Sequence, residues 1–196
     1  MSPPDLLAAL GPVLEAMTAL GVRHYVGGSL ASSAHGLARA SVDADVVAEL
    51  RPEHAGGLVA ALAPAYYVSE ERVRDAVARR ASFNVIHLDT MLKVDVFVSK
   101  GRAFDRRAMG RAQLHRTSAG ERELPLASAE DTVLAKLEWY RRGGEVSERQ
   151  WSDVAGILRT SRESLDLSYM RGGAVELGIA DLLARAIQET ERLTGA

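Results

Sequence analysis

The sequence predicts an α+β fold in which a small mixed β-sheet, with helices on one face, is followed by a helical C-terminal part. Two observations predict this arrangement. Short apolar runs that stop at glycines or other turn residues alternate with amphipathic segments over the first part of the chain. From Ser128 onward, apolar residues recur at helical spacing. We therefore expect two domains, comprising residues 1–127 and 128–196.

The composition is that of an ordinary globular protein. The 196 residues are 47% hydrophobic and 26% charged, with a net charge of −2, which argues against a broad basic nucleic-acid surface. No apolar run approaches the roughly 20 residues that span a bilayer, and no secretory signal is apparent at the N-terminus. Cysteine is absent. We expect a cytoplasmic protein without membrane association, disulfides or thiolate metal sites.

The N-terminal elements follow from apolar spacing and from the residues that begin or end each element. Ser2 and Pro3 suit a helix start, and Gly21 suits a helix end. The next apolar run stops at Gly27-Gly28, as a buried strand stops at a turn. Helices are predicted over 2–20, 29–35, 53–62 and 70–80, and strands over 22–26, 42–47 and 66–68.

Two hairpins are predicted in the following segment. The first spans residues 82–98, and its second strand places Lys93, Asp95 and Phe97 on one face and apolar residues on the other. A lone aspartate in so apolar a strand is costly unless it has a partner or a metal ion. The second hairpin joins two short runs within residues 114–126.

Residues 101–116 are the most basic segment of the chain, with five arginines and one aspartate. Such a segment either binds a phosphate, a nucleotide tail or RNA, or is a solvated loop and helix whose charges face water. The sequence leaves both interpretations open. The arginines are Arg102, Arg106, Arg107, Arg111 and Arg116.

The C-terminal part is predicted to be helical. Ser128 and Asp131 form a capping box for its first helix, and Gly143-Gly144 ends that helix. A second helix begins after a capping serine. The tail over 165–193 is predicted as two further helices with a break at residues 171–173.

The glycine turn and the strand after it carry the residues best suited to chemistry. Gly27-Gly28-Ser29 stands at a helix start, where free backbone N–H groups, a hydroxyl and the helix dipole suit a phosphate. Asp43 and Asp45 share one face of the following strand. Two adjacent carboxylates repel each other, and a divalent cation between them relieves the repulsion. Oxygen ligands favour Mg²⁺ or Mn²⁺.

These residues resemble the signature of the DNA polymerase beta-like nucleotidyltransferase superfamily. The signature is carried by Gly27-Gly28-Ser29 and by Arg39-x-Ser41-x-Asp43-x-Asp45. The chain is most similar in pattern to small bacterial members, including the abortive-infection type nucleotidyltransferase toxins. The resemblance implies that the mixed sheet is a nucleotidyltransferase core.

The resemblance also implies a set of catalytic and metal-binding residues. A third carboxylate comes from a neighbouring strand in the family, and Asp95 matches it by context. Asp43, Asp45 and Asp95 would then hold two Mg²⁺ ions, with Mn²⁺ as a substitute, and Asp95 would serve as the base for an incoming hydroxyl. The competing interpretation is that Asp95 pairs with Lys93 or with an arginine.

The nucleotide-binding residues implied by the resemblance lie in both predicted domains. Gly27, Gly28 and Ser29 would hold the phosphates, Arg39 would steady the turn or a phosphate, and Ser41 would orient Asp43. In relatives a lysine and an aspartate of the helices after the sheet also belong to the site, and these match Lys136 and Asp153. Alternatively, Lys136 snorkels along apolar neighbours, and Asp153 forms an i,i+4 ion pair with Arg149.

Together these features predict a Mg²⁺-dependent nucleotidyltransferase. It would transfer a nucleoside monophosphate from an NTP such as ATP to an acceptor hydroxyl and release pyrophosphate. An RNA 3′ end, a protein and a small molecule remain open as the acceptor. The alternative is a toxin-like or catalytically silent protein of the same fold that acts through a protein partner such as an antitoxin.

Overall fold

The computed structural model describes residues 3–36, 43–116 and 123–194, and their helices and strands follow the predicted order. No helix in these ranges is long and apolar enough to cross a membrane. The helices are α1 (Pro3–Ala19), α2 (Gly28–His35), α3 (His54–Leu62), α4 (Glu70–Arg79), α5 (Ala103–Arg111), α6 (Ala129–Arg142), α7 (Glu148–Thr160), α8 (Leu167–Leu177) and α9 (Ala180–Thr194). The strands are β1 (His24–Val26), β2 (Asp43–Ala48), β3 (Tyr66–Tyr67), β4 (Ser82–His87), β5 (Lys93–Val98), β6 (Gln113–Arg116) and β7 (Glu123–Leu126).

The seven strands form one mixed sheet in the order β3-β4-β5-β2-β1-β7-β6. Its centre is the parallel pair β2 and β5, flanked by β1 antiparallel to β2 and by β4 antiparallel to β5. Parallel neighbours cannot be joined by a tight turn, so the chain passes through α3, β3, α4 and β4 between them. The predicted mixed sheet followed by a helical part is confirmed.

Strict alternation along β2 and β5 separates an apolar face of the sheet from an acidic one. Ala44, Val46 and Ala48 of β2 are fully buried, while the side chains between them are partly exposed. The apolar residues of β5 alternate in the same way. Helix α1 packs on β2 and β5, and its Leu10 and Val13 are completely buried. The apolar core therefore leaves the other face available for polar side chains.

The chain forms two compact units. The first contains residues 1–29 and 40–126, and the second contains residues 30–39 and 127–196. Within the second unit the His35 ring donates a hydrogen bond to the Ala127 carbonyl (2.8 Å), and the Ser161 hydroxyl donates to the His35 carbonyl (3.0 Å). The predicted division into domains at residues 127 and 128 stays a prediction.

Helix α6 is the centre of the second unit, because α7, α8 and α9 all pack against it. Its predicted start is confirmed by capping: the Ser128 hydroxyl oxygen accepts from the Asp131 backbone N–H (3.1 Å). Asp131 itself is buried, and its carboxylate accepts hydrogen bonds from the Ser128 hydroxyl (2.8 Å) and the Tyr169 hydroxyl (2.5 Å). Buried carboxylates are tolerated only with such partners.

The predicted break at residues 171–173 is wrong, because α8 runs through these glycines and ends at Gly178. Gly173 lies so close to α6 that a Cβ would be 2.7 Å from Leu134 Cδ1. Gly178 adopts the left-handed conformation (φ +69°) that terminates helices. A glycine that permits close helix packing and a glycine that ends a helix look alike in sequence.

We expect Leu10→Ala to lower the free energy of unfolding by about 2–5 kcal/mol, because it leaves a cavity under the sheet. Leu88→Ala is the matched control: Leu88 is 51% exposed, and its loss should cost less than about 0.5 kcal/mol. Urea denaturation measures both. Equal losses for the two variants would contradict the assignment of Leu10 to the core.

Candidate active site

Three aspartates lie on the acidic face of the sheet. Asp43 and Asp45 belong to β2 and Asp95 to β5, and the parallel register places Asp45 directly beside Asp95. Register partners on adjacent strands share a face, so the three side chains project from the same side. All three are only partly buried. The structure therefore brings the three predicted carboxylates onto one face.

Lys93 places a positive charge on this face. Its Nζ lies 2.7 Å from Asp95 Oδ2, and the register places Lys93 beside Asp43. The hydrogen bond to Asp95 raises the pKa of Lys93 against a smaller opposing effect of burial, and the charges of Asp95, Asp43 and Asp45 add to the rise. One ammonium group thus experiences the field of all three carboxylates. The competing interpretation, an ion pair between Asp95 and Lys93, is present in the structure.

The glycine turn touches the acidic face directly. The Gly27 backbone N–H donates to the Asp45 carbonyl (2.9 Å), which ties the turn after β1 to β2. Gly28 has φ +53°, and a Cβ at this position would overlap Asp45 Oδ2. Only glycine meets both conditions, since the conformation is left-handed and the space for a side chain is already occupied. The start of α2 and the Asp45 carboxylate are therefore in contact.

The donor set suits a hard divalent cation, because carboxylate oxygens are the ligands that Mg²⁺ and Mn²⁺ prefer. Within the described ranges, however, no group of three or more His, Cys, Asp or Glu side chains is arranged to hold a metal ion. Lys93 satisfies Asp95 instead. A metal ion bound by all three aspartates would share the Asp95 carboxylate with the Lys93 ammonium or displace it. Arg39 and Ser41, the other predicted residues of this region, lie outside the described residues.

Lys136 and Asp153 form an ion pair inside the helical unit. Lys136 Nζ lies 2.8 Å from Asp153 Oδ2, and both side chains are about nine-tenths buried. The Ser32 hydroxyl also donates to Asp153 Oδ2 (3.4 Å). Arg149, by contrast, makes no ion pair among the residues described here. The predicted residues Lys136 and Asp153 therefore meet each other, and their role in nucleotide binding stays a prediction.

The basic segment folds as α5 and β6, with several arginines engaged locally. Asp105 accepts from the Arg102 backbone N–H (2.9 Å) and from its guanidinium (2.8 Å), which begins α5. The Arg106 guanidinium donates to the Gly101 carbonyl. Arg116 lies 3.7 Å from Glu123 on the paired strand. The solvated-helix interpretation accounts for these contacts without RNA.

A polar cavity that the sequence did not indicate lies next to Asp95. It is lined by α4 and the first residues of β4, including Arg72, Ser82 and Asn84, together with Asp95. Asn84 is the register partner of Asp95 on the antiparallel neighbour β4. The predicted alternation of β4 indicates which of its side chains share a face with Asn84. Only the register of β4 with β5 shows that this face is the one that carries Asp95.

Comparisons with solved structures identify the fold. The chain is similar to the antibiotic-resistance factor ANT(2'')-Ia, with 13% identity, TM-score 0.54 and 100% of both chains covered. It is similar to an antigenic nucleotidyltransferase-like protein from Paracoccidioides brasiliensis, with 14% identity, TM-score 0.53 and coverage of 94% of this chain and 93% of that one. It is also similar to a candidate nucleotidyltransferase from Thermotoga maritima, with 15% identity, TM-score 0.50 and coverage of 78% and 96%.

No protein-family model and no curated protein sequence matches the chain. At identities of 13–15%, the structural similarity establishes the fold alone. The activity has to be inferred from the residues of the site. The chain has the nucleotidyltransferase fold, which confirms the fold that the resemblance implied.

We expect Gly28→Ala to lower the free energy of unfolding by about 1–3 kcal/mol, because the new methyl group collides with Asp45 and the backbone is strained. Gly110→Ala is the control in the same unit, since a Cβ there meets nothing within 4 Å. The control should be neutral or stabilising by up to about 1 kcal/mol. Denaturant titration of both variants measures the difference. A Gly28→Ala protein as stable as the wild type would contradict the contact with Asp45.

A second prediction separates the structural role of Lys136 from a role in nucleotide binding. Lys136→Met should cost about 3 kcal/mol or more, because Asp153 keeps an uncompensated buried charge. The double variant Lys136→Met/Asp153→Asn should recover most of this loss, since neither charge remains.

Fluorescent NTP binding to the double variant then tests the nucleotide-binding role. We expect its affinity for NTP to fall although its stability is restored. A double variant that is stable and binds NTP like the wild type would show that the pair only holds the helices together.

Proposed function

We propose that this protein is a Mg²⁺-dependent nucleotidyltransferase that transfers a nucleoside monophosphate from an NTP to an acceptor hydroxyl and releases pyrophosphate. The observation that carries the proposal is the contact between the left-handed Gly28 and the Asp45 carboxylate. This contact joins a phosphate-binding type of turn to an acidic strand in a chain with the nucleotidyltransferase fold. The similar solved structures are an antibiotic-resistance factor, a nucleotidyltransferase-like protein and a candidate nucleotidyltransferase, which supports the proposal.

Asp43, Asp45 and Asp95 would hold the metal ions. When bound, Mg²⁺ would neutralise charge on the triphosphate and lower the pKa of the attacking hydroxyl. The position of Lys93 supports this assignment, because its ammonium lies 2.7 Å from Asp95 Oδ2 and its residue is the register partner of Asp43, so this face already accommodates a positive charge. In the absence of metal, Lys93 would reduce the repulsion between the carboxylates.

The turn and the acidic strand divide the remaining work. Backbone N–H groups at the start of α2, with the Ser29 hydroxyl, would hold the β- and γ-phosphates of the NTP. Asp95 would accept the proton of the acceptor hydroxyl. The hydroxyl oxygen would then bond to the α-phosphorus as the bond to pyrophosphate breaks. Arg39, Ser41, Lys136 and Asp153 stay predicted nucleotide-binding residues.

The test is transfer of label from α-³²P NTPs. The wild type should label an acceptor in cell extract when Mg²⁺ is present, and chelation of the metal by EDTA should stop the transfer. Each of the four NTPs is supplied separately, so the same experiment identifies the preferred base.

Asp43→Asn should reduce the labelling by about a hundredfold or more, because one metal ligand loses its charge. Asp89→Asn is the control, since Asp89 is exposed in the turn before β5 and asparagine suits turns equally well. Circular dichroism checks that both variants are folded. Equal labelling by the wild type and Asp43→Asn would exclude the proposed chemistry. Absence of labelling by a wild type that still binds NTP would favour the catalytically silent alternative.

A further inference from the structure

The cavity beside Asp95 has a volume of about 600 Å³. The proposed nucleotidyl transfer assigns it no role. Small-molecule sites in proteins typically have volumes of roughly 300–1,000 Å³. Helix α4 contributes Arg72 and Arg79 to its lining, and β4 contributes Ser82 and Asn84. The cavity therefore has the size and polarity of a site for a small polar molecule.

The order of the strands places this cavity on a particular side of the acidic cluster. Reading across the sheet, β4 is followed by β5, β2 and β1. The cavity adjoins β4 and Asp95 of β5, while the Gly28 turn follows β1 and touches Asp45 of β2. The cavity and the glycine turn thus lie on opposite sides of the aspartates.

Phosphoryl-type transfer requires that arrangement, because the attacking and leaving oxygens lie roughly in line through the phosphorus. Pyrophosphate held at the Gly28 turn leaves on one side of the α-phosphorus. The attacking hydroxyl must then approach from the other side, which is the side of Asp95 and the cavity.

We propose that the cavity between α4 and β4 is the acceptor site and that it takes a small, hydroxyl-bearing polar molecule. The proposal rests on the proposed nucleotidyl transfer and adds the class of its acceptor. In the reaction, the acceptor O–H gives its proton to the Asp95 carboxylate and its oxygen bonds to the α-phosphorus. Pyrophosphate departs with the electron pair of the broken P–O bond.

The side chains on the β4 side of the cavity are suited to hold hydroxyl groups. Ser82 and Asn84 are exposed, and neither side chain forms a hydrogen bond with any described residue. Asn84 and Asp95 are cross-strand partners. The Cβ atoms of cross-strand partners are typically about 4.5–5.5 Å apart. An amide next to a carboxylate can donate to a hydroxyl oxygen while the carboxylate accepts its proton. Asn84 is therefore the residue that orients the acceptor hydroxyl.

The charges of the lining disfavour a nucleic-acid acceptor. Glu71, Asp75 and Asp95 outnumber the two arginines, and Arg79 is paired with Asp75 at 2.8 Å. Affinity for RNA depends on basic side chains that neutralise phosphates. With three carboxylates and two arginines, the lining lacks the excess of basic side chains that binds a phosphodiester backbone, whereas a small hydroxylated molecule needs only hydrogen bonds.

The first part of the test identifies the acceptor class. The full-length protein is incubated with α-³²P NTPs and Mg²⁺ and with one of four additions: a small-molecule filtrate of cell extract, a panel of hexoses, amino sugars and nucleosides, total RNA, or the protein fraction. We expect label in a small product formed with the filtrate or the panel. Label found only in RNA or only in protein would overturn the proposal while leaving nucleotidyl transfer intact. A wild type that labels none of the four would overturn both.

The second part tests the location of the site. Ser82→Trp fills the cavity, and we expect it to reduce labelling of the small product about tenfold or more without changing the affinity for a fluorescent NTP. Leu88→Trp is the matched control, because Leu88 is exposed just after β4 and does not line the cavity. The control should behave like the wild type.

Asn84→Ala keeps the test decisive if Ser82→Trp folds poorly. We expect Asn84→Ala to raise the KM for the acceptor and lower kcat while the KM for NTP is unchanged. A folded Ser82→Trp or Asn84→Ala protein that labels the small product at the wild-type rate would overturn the assignment of the cavity.

Discussion

The contact between Gly28 and the Asp45 carboxylate is the constraint on which the site depends. The carboxylate occupies the space that a side chain at position 28 would need, and the backbone there is left-handed. The Gly27 backbone N–H also donates to the Asp45 carbonyl. The turn is therefore held to β2 by a backbone hydrogen bond as well as by close packing. The start of α2 and the acidic strand cannot move apart without breaking both interactions. The proposed phosphate site and metal site therefore adjoin each other directly.

Charge is the second property that organises this face. Three aspartates from two adjacent strands would repel one another strongly if no cation were near. Lys93 supplies that cation in this structure through its ion pair with Asp95. The pair is partly exposed, so its contribution to stability is screened by water. Its importance lies in the proposed chemistry, because the same ammonium would compete with a metal ion for Asp95.

Most of the fold was predictable because local signals and long-range pairing agree. The alternation in β2 and β5 predicted which side chains share a face, and the register of the two strands confirms it. The break at residues 171–173 was mispredicted, because Gly173 serves close packing against Leu134 and not helix termination. Glycine has several structural uses, and only the neighbouring helix shows which use applies.

The sequence by itself determined the order of elements, the acidic face and the residue types of the site, since these depend on spacing of two or four residues along one chain. Tertiary structure alone decided the partners. The pairing of Asp95 with Asn84 depends on strand register, and the pairing of Lys136 with Asp153 depends on helix packing. The cavity beside Asp95 is likewise a product of how α4 and β4 come together. Spacing along a chain specifies a face, but contacts between distant segments specify what that face touches.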